Sequence, residues 1–211
     1  MNDDLNQEQL KLRKKNRTTM LGLIALFAMP ILTAIIIFNN TDNLEFGARN
    51  RGDLIRPARP LEPVELQDIN SGDKLALSVT KDFWTLVYFV GAQCDESCFT
   101  NLVKMRQSRL AQGGELQRVK RVAIFFTKQN ADVLKRLADE HQGLIMLTGA
   151  ADKVAALASQ FEIKDQTPVS QGRRIYMLDP LGNLMLKYEE TQTASDIAKD
   201  FKRLLHVSQI G

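Results

Sequence analysis

The stretch from Phe83 to Cys98 constrains this chain more than any other. Phe83-Trp84-Thr85-Leu86-Val87-Tyr88-Phe89-Val90 is an apolar, β-branched and aromatic run. It ends in Gly91-Ala92-Gln93, and the chain's two cysteines, Cys94 and Cys98, follow at once. Beyond them, Phe99, Leu102, Val103, Met105, Arg106 and Leu110 fall mostly on one side of a helix. The pattern predicts a buried strand that delivers both cysteines to a strand-to-helix junction. Exposed N–H groups and the positive end of a helix dipole favour a thiolate at such a place. The remaining residues read as the scaffold and the tether for this turn.

The tether begins with nineteen uncharged residues, Met20 to Phe38. At about 1.5 Å rise per residue they nearly match a hydrocarbon core of roughly 30 Å. The run is apolar on every face, is long for a signal-peptide core, and precedes no small-x-small cleavage pattern. Pro30, at mid-span, is better tolerated in a membrane helix than in a soluble one. Lys11, Arg13, Lys14, Lys15 and Arg17 stand directly before the span, so the positive-inside rule places residues 1–17 in the cytoplasm and the rest outside it. The expected organisation is a cytoplasmic tail (1–17), a transmembrane helix (18–40), a periplasmic linker (41–62) and one domain (63–211), in a bacterial inner membrane. The net charge of +3 comes largely from the N-terminal basic cluster. The remainder is close to neutral, which gives no basic face for nucleic acid.

Residues 39–63 lack periodicity and carry Gly47, Gly52, Pro57, Pro60 and Pro63, an extended spacer by composition. Val64–Asp68 and Leu75–Val79 alternate about an Asn70-Ser71-Gly72-Asp73 turn and predict a hairpin. After the cysteine turn come a strand at Arg121–Thr127, a helix capped by Asn130, a short strand at Gly143–Thr148 and a helix at Lys153–Phe161. Then Arg174–Leu178 and Leu184–Tyr188 flank Asp179-Pro180-Leu181-Gly182-Asn183, a strong turn signal, and a helix from Ala194 to Leu205 closes the chain. Strands alternating with helices imply an α/β core, parallel where crossovers connect, with an antiparallel hairpin at one edge.

Cβ atoms four apart on a helix are about 5–6 Å from one another, whereas a disulfide needs about 3.5–4.5 Å. A Cys94–Cys98 bridge therefore requires Cys94 in the non-helical turn before the helix. Three roles are open to the pair. A static bridge suits an oxidising compartment, although so short a loop constrains the unfolded chain little. Thiol–disulfide exchange is the second; Asp95 and Glu96 disfavour added negative charge, which points to a reductant rather than a strong oxidant. Metal binding is the third, and two soft thiolates without a nearby histidine suit Cu(I) better than a closed zinc site.

The strand–Gly–x–x–Cys–x–x–x–Cys turn, the segment Tyr176-Met177-Leu178-Asp179-Pro180-Leu181-Gly182-Asn183 and the closing Ile197–Leu205 together resemble the Sco/SenC family over about residues 61–206 plus the anchor. The resemblance implies a thioredoxin-like fold, here with an N-terminal hairpin and one preceding transmembrane helix. It also implies a part in cytochrome c oxidase assembly, with the oxidase subunit that carries the CuA site, or another assembly factor, as partner. In the family two cysteines and a histidine bind copper, which would make Cys94 and Cys98 the metal ligands here. The family also reduces cysteines at the CuA centre, which would make Cys94 the nucleophile, as the more exposed by position, and Cys98 the resolving thiol.

Two departures stand out. Phe99 follows the second cysteine where the family usually has proline, and Gln171 occupies the place of the ligand histidine. The two histidines, His141 and His206, fall near helix ends and read as C-terminal residues meeting the dipole. Met105 and Met177 read as core filler. Thr167-Pro168 is the candidate for the cis-proline that thioredoxin-like folds place beside their cysteines. Two other readings compete: a degenerate thioredoxin-like scaffold of oxidase assembly with a structural disulfide, and, ranked last, a peroxide-reducing enzyme.

Overall fold

The uncharged run lies within one continuous helix, α1 (Asn2–Asn39), in a computed structural model that describes residues 2–39, 50–164 and 166–208. The segment Arg13–Asn39 is long and apolar enough to cross a membrane. Its large side chains, Leu26, Phe27, Ile31 and Phe38 among them, are exposed all round the helix. Close to Pro30, Thr33 Oγ1 donates to the Met29 carbonyl one turn back at 2.8 Å. The expected tail and span share this one helix, because no breaker separates Arg17 from Met20.

A second compact unit begins at Asn50. Its elements are β1 (Asp53–Pro60), β2 (Leu66–Asp68), β3 (Lys74–Leu75), β4 (Trp84–Val90), α2 (Glu96–Leu110), β5 (Val119–Phe125), α3 (Ala131–Glu140), β6 (Leu144–Thr148), α4 (Ala151–Ser159), β7 (Ile175–Leu178), β8 (Asn183–Tyr188) and α5 (Ala194–Val207). They form one sheet in the order β1-β8-β7-β4-β5-β6-β2-β3. The β4–β5 and β5–β6 pairs are parallel, joined by α2 and α3 as crossovers, and the rest are antiparallel.

All seven residues of β4 are buried because helices and loops cover both sheet faces. Trp84, Leu86, Tyr88 and Val90 pack with Leu102 and Met105 of α2, Leu137 of α3 and Ile197 and Phe201 of α5. Val87 and Phe89 point the other way, toward Val154 and Leu157 of α4, Phe161 and Val169. Phe161 meets Phe89 and Tyr176 edge-on at 4.9 and 5.2 Å. Each such side chain, fully buried, is worth about 1.5–3 kcal/mol. Asn130 caps α3 through the Asp132 N–H, as the sequence predicts, and Thr193 with Asp196 forms a capping box on α5.

Four expectations need correction. Part of the linker (41–62) is sheet: Asp53–Pro60 pairs with β8 as an edge strand, its prolines tolerated because an edge needs fewer N–H donors. The first part of that linker, 41–49, lies outside the described residues. The β7–β8 hairpin is consequently internal, lying between β1 and β4. The N-terminal hairpin forms, but its second arm is only two residues long before Leu77–Thr80 turns into a 3-10 helix, and it extends the opposite edge through β6. Finally, α4 runs Ala151–Ser159 rather than 153–161, with Phe161 buried just past its end.

Candidate thiol–disulfide site

The site is built where β4 stops. Asp95 caps α2: the Cys98 backbone N–H donates to Asp95 Oδ1 at 3.0 Å, and Glu96 opens the first turn. Cys94 therefore precedes the helix and Cys98 sits within its first turn, the geometry a bridge over this spacing requires. The two form a disulfide with Cα atoms 5.1 Å apart. Both cysteines are buried, Cys94 at 9% residue exposure and Cys98 at 2%, and Cys98 contributes to the wall of the adjoining cleft.

That cleft has a volume of about 1030 Å³. One wall is the cysteine loop and the start of α2; the other is the 3-10 turn Val169–Gln171 and Arg173. Gln171, at the expected histidine place, thus lines the same cleft as Cys98. The turn is clamped at Gly172, whose φ of +62° suits glycine. A Cβ there would come within 2.9 Å of the Phe89 carbonyl oxygen and 3.0 Å of the Gly91 nitrogen. Tyr88 Oη donates to the Gly172 carbonyl at 2.6 Å. Burial pushes the Tyr88 hydroxyl up to about 12, with the Asp95 and Glu190 carboxylates adding to the rise, so it stays a neutral donor.

Two polar groups at the site had no place in the sequence reading. Gln129 Oε1 accepts the Cys94 backbone N–H at 3.1 Å, and its amide nitrogen donates to the Ala92 carbonyl at 3.3 Å. The signal was available, because Gln129 follows β5, and residues just past the ends of adjacent parallel strands meet at one sheet edge. Glu190 bridges the cleft mouth, bonding Ser97 Oγ at 3.0 Å and Arg173 at 3.2 Å, while its carbonyl accepts from Lys104 at 2.7 Å. Burial lowers the Lys104 ammonium from its usual range.

Several site expectations are revised. The Thr167–Pro168 bond is trans; among the described residues the cis peptide is Arg56–Pro57. His141 does end α3, but it is 1% exposed and its pKa falls to about 4, through burial first and then the Arg106 and Arg121 charges. It is a neutral buried imidazole, not a cation meeting a dipole. Neither His141 nor His206 lines the cleft. Met105 and Met177 are wholly buried in the apolar cluster. Phe99 packs beneath the Arg136 guanidinium, 4.1 Å from its ring centre.

Among the described residues no three His, Cys, Asp or Glu side chains converge as a metal site. The donors present fit a two-thiolate arrangement, available once the bridge is reduced, and do not fit a set that includes imidazole. Two thiolates suit Cu(I).

Residues 84–208 match the family described as the transmembrane-like, thioredoxin-like C-terminal domain. The chain belongs to that family. No curated protein matches it. Among solved structures, the domain shares the fold of the copper-bound ScoI of Bradyrhizobium japonicum, at 22% identity and TM-score 0.54, covering 68% of this chain and 98% of that one. Copper-bound yeast Sco1 superposes with a TM-score of 0.61 at 16% identity, covering 73% and 96%. BsSco, a Sco-family cytochrome c oxidase assembly protein in which a disulfide switch was identified, superposes at 0.56 with 18% identity over 74% and 99%. The expected thioredoxin-like fold, its likeness to Sco/SenC proteins and the disulfide are all present in this family member.

Proposed function

We propose that this protein is a membrane-anchored thiol–disulfide protein of cytochrome c oxidase copper-site assembly, with its domain in the periplasm and its N-terminus in the cytoplasm. The observation that carries the reading is the Cys94–Cys98 bridge at a helix N-terminus beside an open cleft. In the reducing direction, the Cys94 thiolate attacks a disulfide of the partner, forming a mixed disulfide and releasing one partner thiolate. Cys98 then attacks Cys94 Sγ, which expels the second partner thiolate and closes the bridge. Two electrons pass to the partner, and an external dithiol must restore the reduced form. The likeness to BsSco and to the copper-bound Sco proteins supports the oxidase subunit that carries CuA as that partner.

Copper enters as a second reading, because reduced Cys94 and Cys98 supply two soft thiolates. In that reading the cysteines bind Cu(I) without an imidazole, and Gln171 contributes a neutral wall rather than a ligand. The scaffold alternative, with a purely structural bridge, makes the opposite claim about both sulfurs.

A Cu(I) titration of the reduced full-length protein in detergent, against a competing chelator, is the test together with redox titration in dithiol buffers. The expected result is a bridge that opens and closes reversibly while the domain stays folded. Stoichiometric Cu(I) binding lost in the Cys94→Ser/Cys98→Ser variant adds the carrier role. A bridge that opens only on unfolding, with no Cu(I) bound, leaves the scaffold.

A further inference from the structure

A second cavity, of about 430 Å³, lies beyond the C-terminal half of α2 and the C-terminal end of α3, away from the cysteines. Arg106, Arg109 and Arg121 line it, with Asp139 and Glu140. Each arginine spends one N–H on a main-chain carbonyl: Arg106 on Glu140, Arg109 Nε on Val119 at 2.7 Å, and Arg121 Nη2 on Gln142 at 2.6 Å. Glu140 is held by Arg136 at 2.8 Å, outside the trio. Asp139 is exposed.

Arg121 is the anomaly. It is 1% exposed, and its Nε and Nη1 have no hydrogen-bond partner among the described residues. Both ring nitrogens of neighbouring His141 are equally without partners. Burial, then Arg109 and Arg106, depress the Arg121 pKa to about 10, which still leaves it charged at neutral pH. A buried guanidinium beside two others, with no carboxylate paired to it, is a costly arrangement unless an anion completes it.

We propose that this cavity is an anion site that takes a small tetrahedral oxyanion of the phosphate or sulfate class, bonded by Arg106 and Arg109 and offsetting the buried charge of Arg121. The planar fork of arginine matches two oxygens at a time, and its weak hydration favours such partly enclosed sites. Carbonyls from the end of α3 already orient Arg106 and Arg121, so the ligand meets prearranged groups. The site is independent of the cysteine chemistry and stands whether or not that chemistry is confirmed.

The test is thermal unfolding of the full-length protein in non-ionic detergent, titrated with inorganic phosphate and, separately, sulfate, against chloride at equal ionic strength. Non-specific salting effects rise without saturating; site binding saturates. The expected result is a saturable rise in Tm with phosphate or sulfate, absent with chloride. Arg106→Gln and Arg109→Gln each weaken the apparent affinity at least about tenfold, a loss of about 1.4 kcal/mol. Arg121→Met in anion-free buffer unfolds at a higher temperature than the wild type and no longer responds to either anion. Should that variant fail to fold, the Arg106 and Arg109 variants decide alone. Equal Tm in all three salts, or an undiminished saturable response in both glutamine variants, overturns the proposal.

Discussion

Asp95→Asn removes one charge beside the sulfurs and leaves the helix cap in place. Asparagine caps as well as aspartate, and its side-chain oxygen can keep the bond now 3.0 Å from the Cys98 nitrogen. What changes is the field felt by a thiolate. Side chains three apart on a helix lie about 5–6 Å from one another at Cβ. At that separation two negative charges repel by about 3 kcal/mol at an effective dielectric constant near 20, and by under about 1 kcal/mol in bulk water. Asp95 is exposed and Cys98 buried, so an intermediate value of roughly 1–1.5 kcal/mol applies, about one unit on the Cys98 thiol pKa. The sign follows: removing the carboxylate stabilises the thiolate and lowers that pKa. The assay is thiolate absorbance against pH in the reduced protein with Cys94→Ser, so that one thiol titrates. With both cysteines present, and at a pH above both thiol pKa values, the bridge becomes easier to reduce by roughly 20–30 mV. An unchanged or raised Cys98 thiol pKa, or an unchanged or more negative reduction midpoint, in a variant whose helix content matches the parent, would refute the electrostatic reasoning.

Further outcomes follow from the same geometry. Gln171→His puts an imidazole in the cleft that Cys98 lines, and copper affinity of the reduced protein, measured by chelator competition, should rise by about tenfold or more; no change means that the turn does not aim this side chain at the sulfurs. Gly172→Ala meets the Phe89 carbonyl at 2.9 Å in a left-handed conformation, so chemical denaturation should show a loss of more than about 1 kcal/mol. His141 binds its proton in the unfolded chain near pH 6.5 but in the folded one only near 4. Stability should therefore fall as pH drops through that window, by up to about 3 kcal/mol from this group, and His141→Gln should flatten that part of the profile. Leu102→Ala, at a position 1% exposed beneath β4, should cost about 2–5 kcal/mol by the same denaturation measurement.

Much of the architecture was legible because local and tertiary signals agreed. The apolar run at 84–90 could only be a strand buried on both faces. Asn130 sat where a helix needed a cap, and Asp179–Asn183 carried a strong turn signal. Where the reading missed, the cause lay in distant residues. Asp53–Pro60 has no alternation and three prolines nearby, yet β8 offers it an open edge, and Asp200 fixes its approach by accepting the Arg51 and Gly52 N–H groups at 2.9 Å. No local pattern announces a partner almost 150 residues away. The charge state of His141 likewise depends on Arg106 and Arg121, contributed by α2 and β5. At the site, spacing placed both cysteines at the strand-to-helix junction, and the resemblance to the Sco/SenC family placed Gln171. Gln129 was open to inference from its place just past β5, whereas Glu190 reaches the cysteine loop only through the pairing of β8 into the sheet.

The central claim is that the Cys94–Cys98 pair works chemically in assembling the oxidase copper site. Its most direct test is the CuA content and activity of cytochrome c oxidase in cells whose only copy of this protein carries Cys94→Ser and Cys98→Ser, expressed and membrane-bound at wild-type levels. The account predicts oxidase that lacks copper at that site and loses activity to the level of cells without the protein. Fully metallated, active oxidase in those cells would contradict it and leave the domain as a scaffold.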